Sequence, residues 1–218
     1  FLKRHLFFLL AGLLLTFLAM VIDYHLFSKY ARKLFWISFF LLILVLIPGL
    51  GREVSGARRW FRFKFISFQP SEFANLALII YISDFISRKG DKVKSLLKGF
   101  IPPVSVLGII CALILLQPDL GTAVALASVG LIMLFVAGVR GRYILSLILC
   151  SLPAVYFLVF SVAYRRARIM AFLNPWFDPK GSGFQIIQSQ VAIGSGGLFG
   201  VGLGHSKQKL FYLPAAHT

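Results

Sequence analysis

The chain has 218 residues, of which 59% are hydrophobic, and a mean hydropathy of +0.87; soluble domains hold roughly 45–50% apolar residues. Several apolar runs are long enough to cross a hydrocarbon core of roughly 30 Å, which excludes an ordinary soluble domain. The charge is +16, from 23 Lys and Arg against 7 Asp and Glu; because these cations are spread over short loops, they argue against nucleic acid and for anionic headgroups or phosphate-bearing substrates.

The sequence opens on Phe1 and shows no signal-peptide pattern, so it is expected to be a fragment, or a chain trimmed at both ends. Hydropathy predicts six spans, at Leu6–Ile22, Leu34–Leu50, Phe73–Ser87, Phe100–Leu116, Ala123–Val139 and Tyr143–Val162. The expected fold class is all-α, a polytopic transmembrane helical bundle. Residues 1–162 supply six helices with short loops, and 163–218 form a large, truncated loop with a re-entrant Gly-rich segment. Six crossings sort the loops by parity. One face holds the N-terminus, the 51–72 loop, the 117–122 turn and the tail, with 13 Lys and Arg. The other holds the 23–33, 88–99 and 140–142 loops, with 10. This balance leaves orientation open, and it gives the first face more cations than topology requires.

In chain order, the first polar stretch of interest is "GREVSGARRWFRFKFISF" (51–68), where arginines and a lysine interleave with aromatics. Two functions fit it: an interfacial belt at headgroup depth, or guanidinium contacts to the diphosphate of a lipid-linked substrate. "QPSE" (69–72) then opens the third span and "QPD" (117–119) the fifth. Proline suits the first helical position, and an acid in the first turn faces the positive end of the helix dipole. Glu72 and Asp119 are thus either helix caps or, since both fall on one face, part of a polar site. Asp84 and Arg88 stand at i,i+4 and are expected to form an ion pair at the membrane edge. Cys111 and Cys150 lie in apolar runs and are expected to pack there. In the tail, six of the eleven residues from Gly194 to Gly204 are glycine. They suit a bent, closely packed segment better than a phosphate loop, for which no P-loop lysine is present. His205 and His217 show no metal-ligand spacing.

Together "GARRW" (56–60), "QPSEF" (69–73), "QPDLGTA" (117–123), "NPWFDPKGSGFQIIQSQVAIGSGGLFGVGLG" (174–204) and "QKLFYLP" (208–214) resemble the SEDS family (shape, elongation, division and sporulation) over nearly the whole chain. The "GLGHSKQKLFYLP" stretch is more similar to its division and sporulation branch (FtsW and SpoVE) than to its elongation branch. The resemblance implies a multi-pass protein of the bacterial cytoplasmic membrane whose active face, carrying these motifs and the 163–218 loop, is extracytoplasmic. It further implies a glycosyltransferase that polymerises lipid II into peptidoglycan strands during cell division. The partners would be lipid II, undecaprenyl diphosphate, a class B penicillin-binding protein and other divisome membrane proteins.

Such a polymerase joins the 4-hydroxyl of one lipid II sugar to the anomeric carbon of the growing strand. That step needs a base near the hydroxyl and cations or a metal against the diphosphate. The resemblance makes Arg59, Arg165 and Arg168 the preferred diphosphate contacts. Glu72 and Asp119 become supporting carboxylates, and Gln69, Ser71, Gln117, Gln188 and His217 further substrate-binding residues. No resident cofactor or metal site is implied, although a divalent cation (Mg or Mn) assisting the diphosphate stays open. The family's proposed catalytic aspartate would follow His217 and Thr218, so the fragment alone is expected to be inactive. The sequence departs from the family at Asn75, where a lysine is usual, and in "PAAHT", where an alanine replaces an acid. Two other functions stay in play: a lipid II flippase and a non-catalytic divisome scaffold. The middles of the spans are almost purely Leu, Ile, Val, Phe and Ala, which favours chemistry at one face over transport.

Overall fold

The computed structural model describes residues 2–54, 57–62, 67–202 and 205. Its helices are α1 (Leu2–Val21), α2 (Tyr24–Leu46), α3 (Pro70–Lys89), α4 (Ile101–Leu116), α5 (Leu120–Val136), α6 (Gly141–Phe160), α7 (Ala163–Leu173) and α8 (Phe184–Gly196). Each expected span overlaps one of α1 to α6. The fold is therefore that of a polytopic helical membrane protein. The stretch Leu96–Leu116, which runs through a π-helical turn into α4, and α6 are each long and apolar enough to cross a bilayer. Helices α1 and α2 meet that test as a pair, bent by 109° at their junction. The chain divides into two units, Phe1–Ser146 and Leu147–Thr218.

Of the loops expected from hydropathy, 88–99 is structured as a 3-10 turn over Gly90–Lys94 and a π-helical turn over Leu96–Phe100, and two others depart further. The 23–33 segment is the start of α2: Asp23 accepts a hydrogen bond from the His25 backbone N–H at 2.9 Å and caps the helix. Hydropathy missed it because Tyr24–Lys33 is basic and mixed, while helix formation needs only a cap and residues free of breakers. The other departure is a small antiparallel sheet, β1 (Arg52–Val54), β2 (Ala57–Arg62) and β3 (Ser67–Phe68), in the order β1-β2-β3. Trp60 pairs with Arg52 and Phe61 with Phe68. The ends of the helices follow from local chemistry. Ile47 is extended because Pro48 follows it, and α3 begins with Pro70 at its first position.

The core of the first unit lies between α2, α3, α4 and α5, with the largest interface between α2 and α3. Buried residues on α2 are Ala31, Phe35, Ser38, Leu42 and Val45, a 4-3-4-3 spacing that keeps one stripe on the partner helix. Pro103, Leu107, Ile110 and Ile114 repeat this on α4. Because lipid is as apolar as leucine, such interfaces are held by close packing and polar contacts, not by escape from water. Small residues allow that approach: Ser71, Ala74 and Ala77 are buried on α3. A Cβ on Gly130 of α5 would lie 3.0 Å from Leu107 and 3.4 Å from Ile82. Cys111 packs as expected, its thiol against the Ala123 carbonyl at 3.5 Å; Cys150 is exposed on α6.

Candidate functional site

Of the expected site residues in the first unit, Arg59, Gln117 and Asp119 meet at the corner between α4 and α5, while Gln69, Ser71 and Glu72 lie at the start of α3. Asp119 is the N-cap of α5 and accepts from the Thr122 backbone N–H at 3.2 Å. That is the capping role the sequence allowed. Its second carboxylate oxygen does something else, standing 3.4 Å from Nη1 of Arg59. Arg59 reaches the corner from β2 and donates through Nε to the Gln117 carbonyl at 3.0 Å and through Nη2 to the Pro118 carbonyl at 2.5 Å. The two carbonyls belong to the end of α4, which has no intrahelical donors left for them. One guanidinium thus satisfies the end of one helix and the capping carboxylate of the next. The Asp119 side chain is 13% exposed and that of Arg59 31%, so the pair is only partly screened, and the remaining guanidinium N–H groups are available to an anion.

Gln117 is buried and donates through Nε2 to the Leu42 carbonyl at 3.4 Å, tying the corner to α2. At the start of α3, Gln69 turns its amide onto the Ser71 hydroxyl at 2.8 Å, and Ser71 is buried. Glu72, in the first turn, is exposed. One turn on, the Asn75 side-chain oxygen is buried without a hydrogen-bond partner, a polar atom able to accept from a ligand donor. Asp84 and Arg88 form the expected ion pair, with Asp84 also accepting from Ser28 of α2 at 2.7 Å.

Arg165, Arg168 and Gln188 lie in the second unit. Arg165 donates to the Leu158 carbonyl at 2.8 Å. The exposed Arg168 guanidinium lies 4.8 Å over the Tyr164 ring. Gln188 is half-buried on α8. Between α7 and α8 the structure contains a device the sequence reasoning passed over. Asp178 accepts from the backbone N–H groups of Ser182 at 2.8 Å and Gly181 at 3.0 Å, and from the Ser182 hydroxyl. The Ser182 amide, foremost, holds this carboxyl below the ordinary aspartate range. A Cβ on Gly183 would collide with the Pro175 carbonyl, which requires glycine there. An acid followed by the G-S-G triplet was the available signal. Gly197, Gly200 and Gly202 adopt positive φ after α8. His217 lies outside the described residues.

Asp119 is already engaged by a guanidinium, and among the described residues no three His, Cys, Asp or Glu side chains converge.

The helical membrane architecture defines the class, a polytopic helical membrane protein. The FtsW/RodA/SpoVE model, described as "Cell cycle protein", matches residues 1–218, and the chain belongs to that family. It is 49% identical over all 218 residues to "Probable peptidoglycan glycosyltransferase FtsW" of Geobacter sp. (strain M18), covering 59% of that protein. It is 45% identical to "Stage V sporulation protein E" of Bacillus subtilis (strain 168), again over the full chain and 60% of the relative. The chain thus spans under two thirds of the length of these two relatives. Among solved structures it resembles a chain of the complex described as "Structural coordination of polymerization and crosslinking by a peptidoglycan synthase complex". There the TM-score is 0.71 and identity 35%, covering 90% of this chain and 58% of that one. The Rod shape determining protein RodA of Thermus thermophilus gives a TM-score of 0.56 at 26% identity, over 82% of this chain and 71% of that one.

Proposed function

We propose that this chain is the substrate-handling part of a peptidoglycan glycosyltransferase that polymerises lipid II for septal wall synthesis. It works in the bacterial cytoplasmic membrane, with the α4–α5 corner and the 163–218 segment on the extracytoplasmic side. Its partner is a class B penicillin-binding protein, among other divisome membrane proteins. The observation that carries this reading is the arginine-bound QPD corner, in a chain 49% identical to a relative named as such an enzyme. The likeness to a component of a peptidoglycan synthase complex supports the cross-linking partner.

In the reaction, charge grows on the departing undecaprenyl diphosphate, and fixed cations stabilise it best when they need no reorganisation. Asp119 and the two carbonyls hold the Arg59 guanidinium in one orientation, so its remaining N–H groups meet a phosphate without searching for it. Arg165, braced on the Leu158 carbonyl, and Arg168, on the Tyr164 ring, serve as further diphosphate contacts. Gln69, Ser71, Glu72 and Gln117 of the first unit and Gln188 of the second are further substrate-binding residues, and the Asn75 oxygen accepts from a sugar hydroxyl or amide. The glycine-rich stretch after α8 forms a re-entrant segment, its positive-φ positions supplying the bends.

The test uses full-length protein with its partner synthase and labelled lipid II, products being resolved on a gel. A glycan ladder is expected. Absence of a ladder together with lipid II translocation in liposomes would replace the polymerase with a flippase.

A further inference from the structure

At the far end of α3 from Gln69, the first unit carries a basic cavity unrelated to the QPD corner. It has a volume of about 430 Å³ and is lined by Arg32, Tyr81, Phe85, Arg88, Lys89 and Lys92. Arg32 and Tyr81 also border a second hollow of about 340 Å³, whose other walls are Phe35, Trp36, Phe39, Val106 and Ile109. The pair is therefore amphipathic, with cations at the helix ends and an aromatic and aliphatic groove running down α2 and α4.

Only part of the charge in the cavity is spent internally. Asp84 pairs with Arg88 and is itself fixed by Ser28, so it orients that guanidinium across the α2–α3 seam. Asp91, the other nearby acid, is paired with Lys94 at 3.1 Å. Lys89 rests over the Phe85 ring at 5.5 Å. Among the described residues, neither Arg32 nor Lys92 has a carboxylate partner, and both are exposed. Clustered unneutralised cations at a membrane edge attract a phosphate, and basic pockets between helices hold anionic lipid headgroups.

We infer that this is a binding site for an anionic glycerophospholipid, its phosphate among Arg32, Arg88, Lys89 and Lys92 and one acyl chain along the Phe35–Trp36–Phe39 groove. A soluble phosphate would use only the cavity and leave the groove unexplained. A polyprenyl diphosphate is, in the function proposed above, handled one α3 length away, about 30 Å for its 20 residues.

Trp36 supplies the readout. Phosphatidylglycerol with brominated acyl chains is titrated into full-length protein in detergent, and tryptophan quenching is compared with that of the Trp36→Phe variant. Brominated phosphatidylglycerol is expected to quench at far lower concentration than brominated phosphatidylcholine, and the difference to disappear in Trp36→Phe. Since each cation near an anionic surface contributes roughly a fivefold step, Arg32→Gln with Lys92→Gln should weaken binding roughly 30-fold. Both residues are exposed, so the variant folds; normal thermal melting verifies it. Equal quenching by the two lipids, or an unchanged double variant, overturns the proposal. So does competition by inorganic phosphate at matching concentration, which would mark a soluble-anion site, or preferential displacement by undecaprenyl phosphate, which would mark a carrier-lipid site.

Discussion

Removing Arg59 tests whether the α4–α5 corner is held as described. Arg59→Ala deletes two charge-assisted hydrogen bonds, to the Gln117 and Pro118 carbonyls, and the ion pair to Asp119. Hydrogen bonds to charged groups contribute about 1.5–3 kcal/mol each. The 31% exposure of the arginine side chain lets water recover part of that, so the expected loss is about 2–4 kcal/mol. Asp119→Asn separates the terms. Asparagine caps a helix as well as aspartate does, so this variant keeps the Thr122 bond and loses the charge, for about 1 kcal/mol. The measurement is unfolding of the full-length protein in mixed micelles, for wild type, each single variant and the double. A coupling of roughly 0.5–1.5 kcal/mol between the two positions is expected, as for groups in direct contact. An Arg59→Ala loss below about 1 kcal/mol, or additive single variants, would refute the clamp and leave Arg59 a belt residue at the interface.

Glu72→Gln should change stability by less than about 1 kcal/mol, since the exposed carboxylate contributes only to the helix dipole; a tenfold or greater fall in glycan polymerisation at unchanged stability places the carboxylate against substrate, and normal turnover returns it to capping. Gly130→Val forces branches into Leu107 and Ile82 and should cost about 1–3 kcal/mol, read as a lowered melting temperature in detergent, with Gly130→Ala milder because the Leu107 tip can yield. Asp178 has a depressed pKa in the folded turn, so its contribution is complete above the ordinary aspartate range and is lost as pH falls through the lower folded value. Amide exchange at Gly181 and Ser182 should quicken over that acid window, and Asp178→Asn should abolish the pH dependence; an unaltered profile would count against the turn.

Much of the helical scaffold was legible because proline and hydropathy punctuate it. Pro48, Pro70 and Pro118 each stand at a helix boundary, and the apolar stretches between them are long. The Asp84–Arg88 pair followed from spacing alone. The sheet formed by residues 52–54, 57–62 and 67–68 was harder, although arginines interleave with aromatics along this stretch of sequence. That interleaving describes an interfacial belt equally well, and the choice between them depends on pairing with β1 and β3, which is non-local. Asp119 was legible as a cap but not as a partner of Arg59, 60 positions away in sequence. The basic cavity was invisible for a related reason: Arg32 and Arg88 meet only because α2 continues back to Tyr24, through a segment whose hydropathy indicates a loop.

The choice of acceptors at the corner has a consequence for how the site tolerates change. Two of the three bonds from Arg59 end on main-chain oxygens, which every amino acid carries. Substitution at positions 117 or 118 leaves those acceptors in place, so long as the turn persists. The side chain of Gln117 is thereby released from anchoring the arginine, and chemistry near the corner can be retuned one residue at a time without untying the strap that positions it.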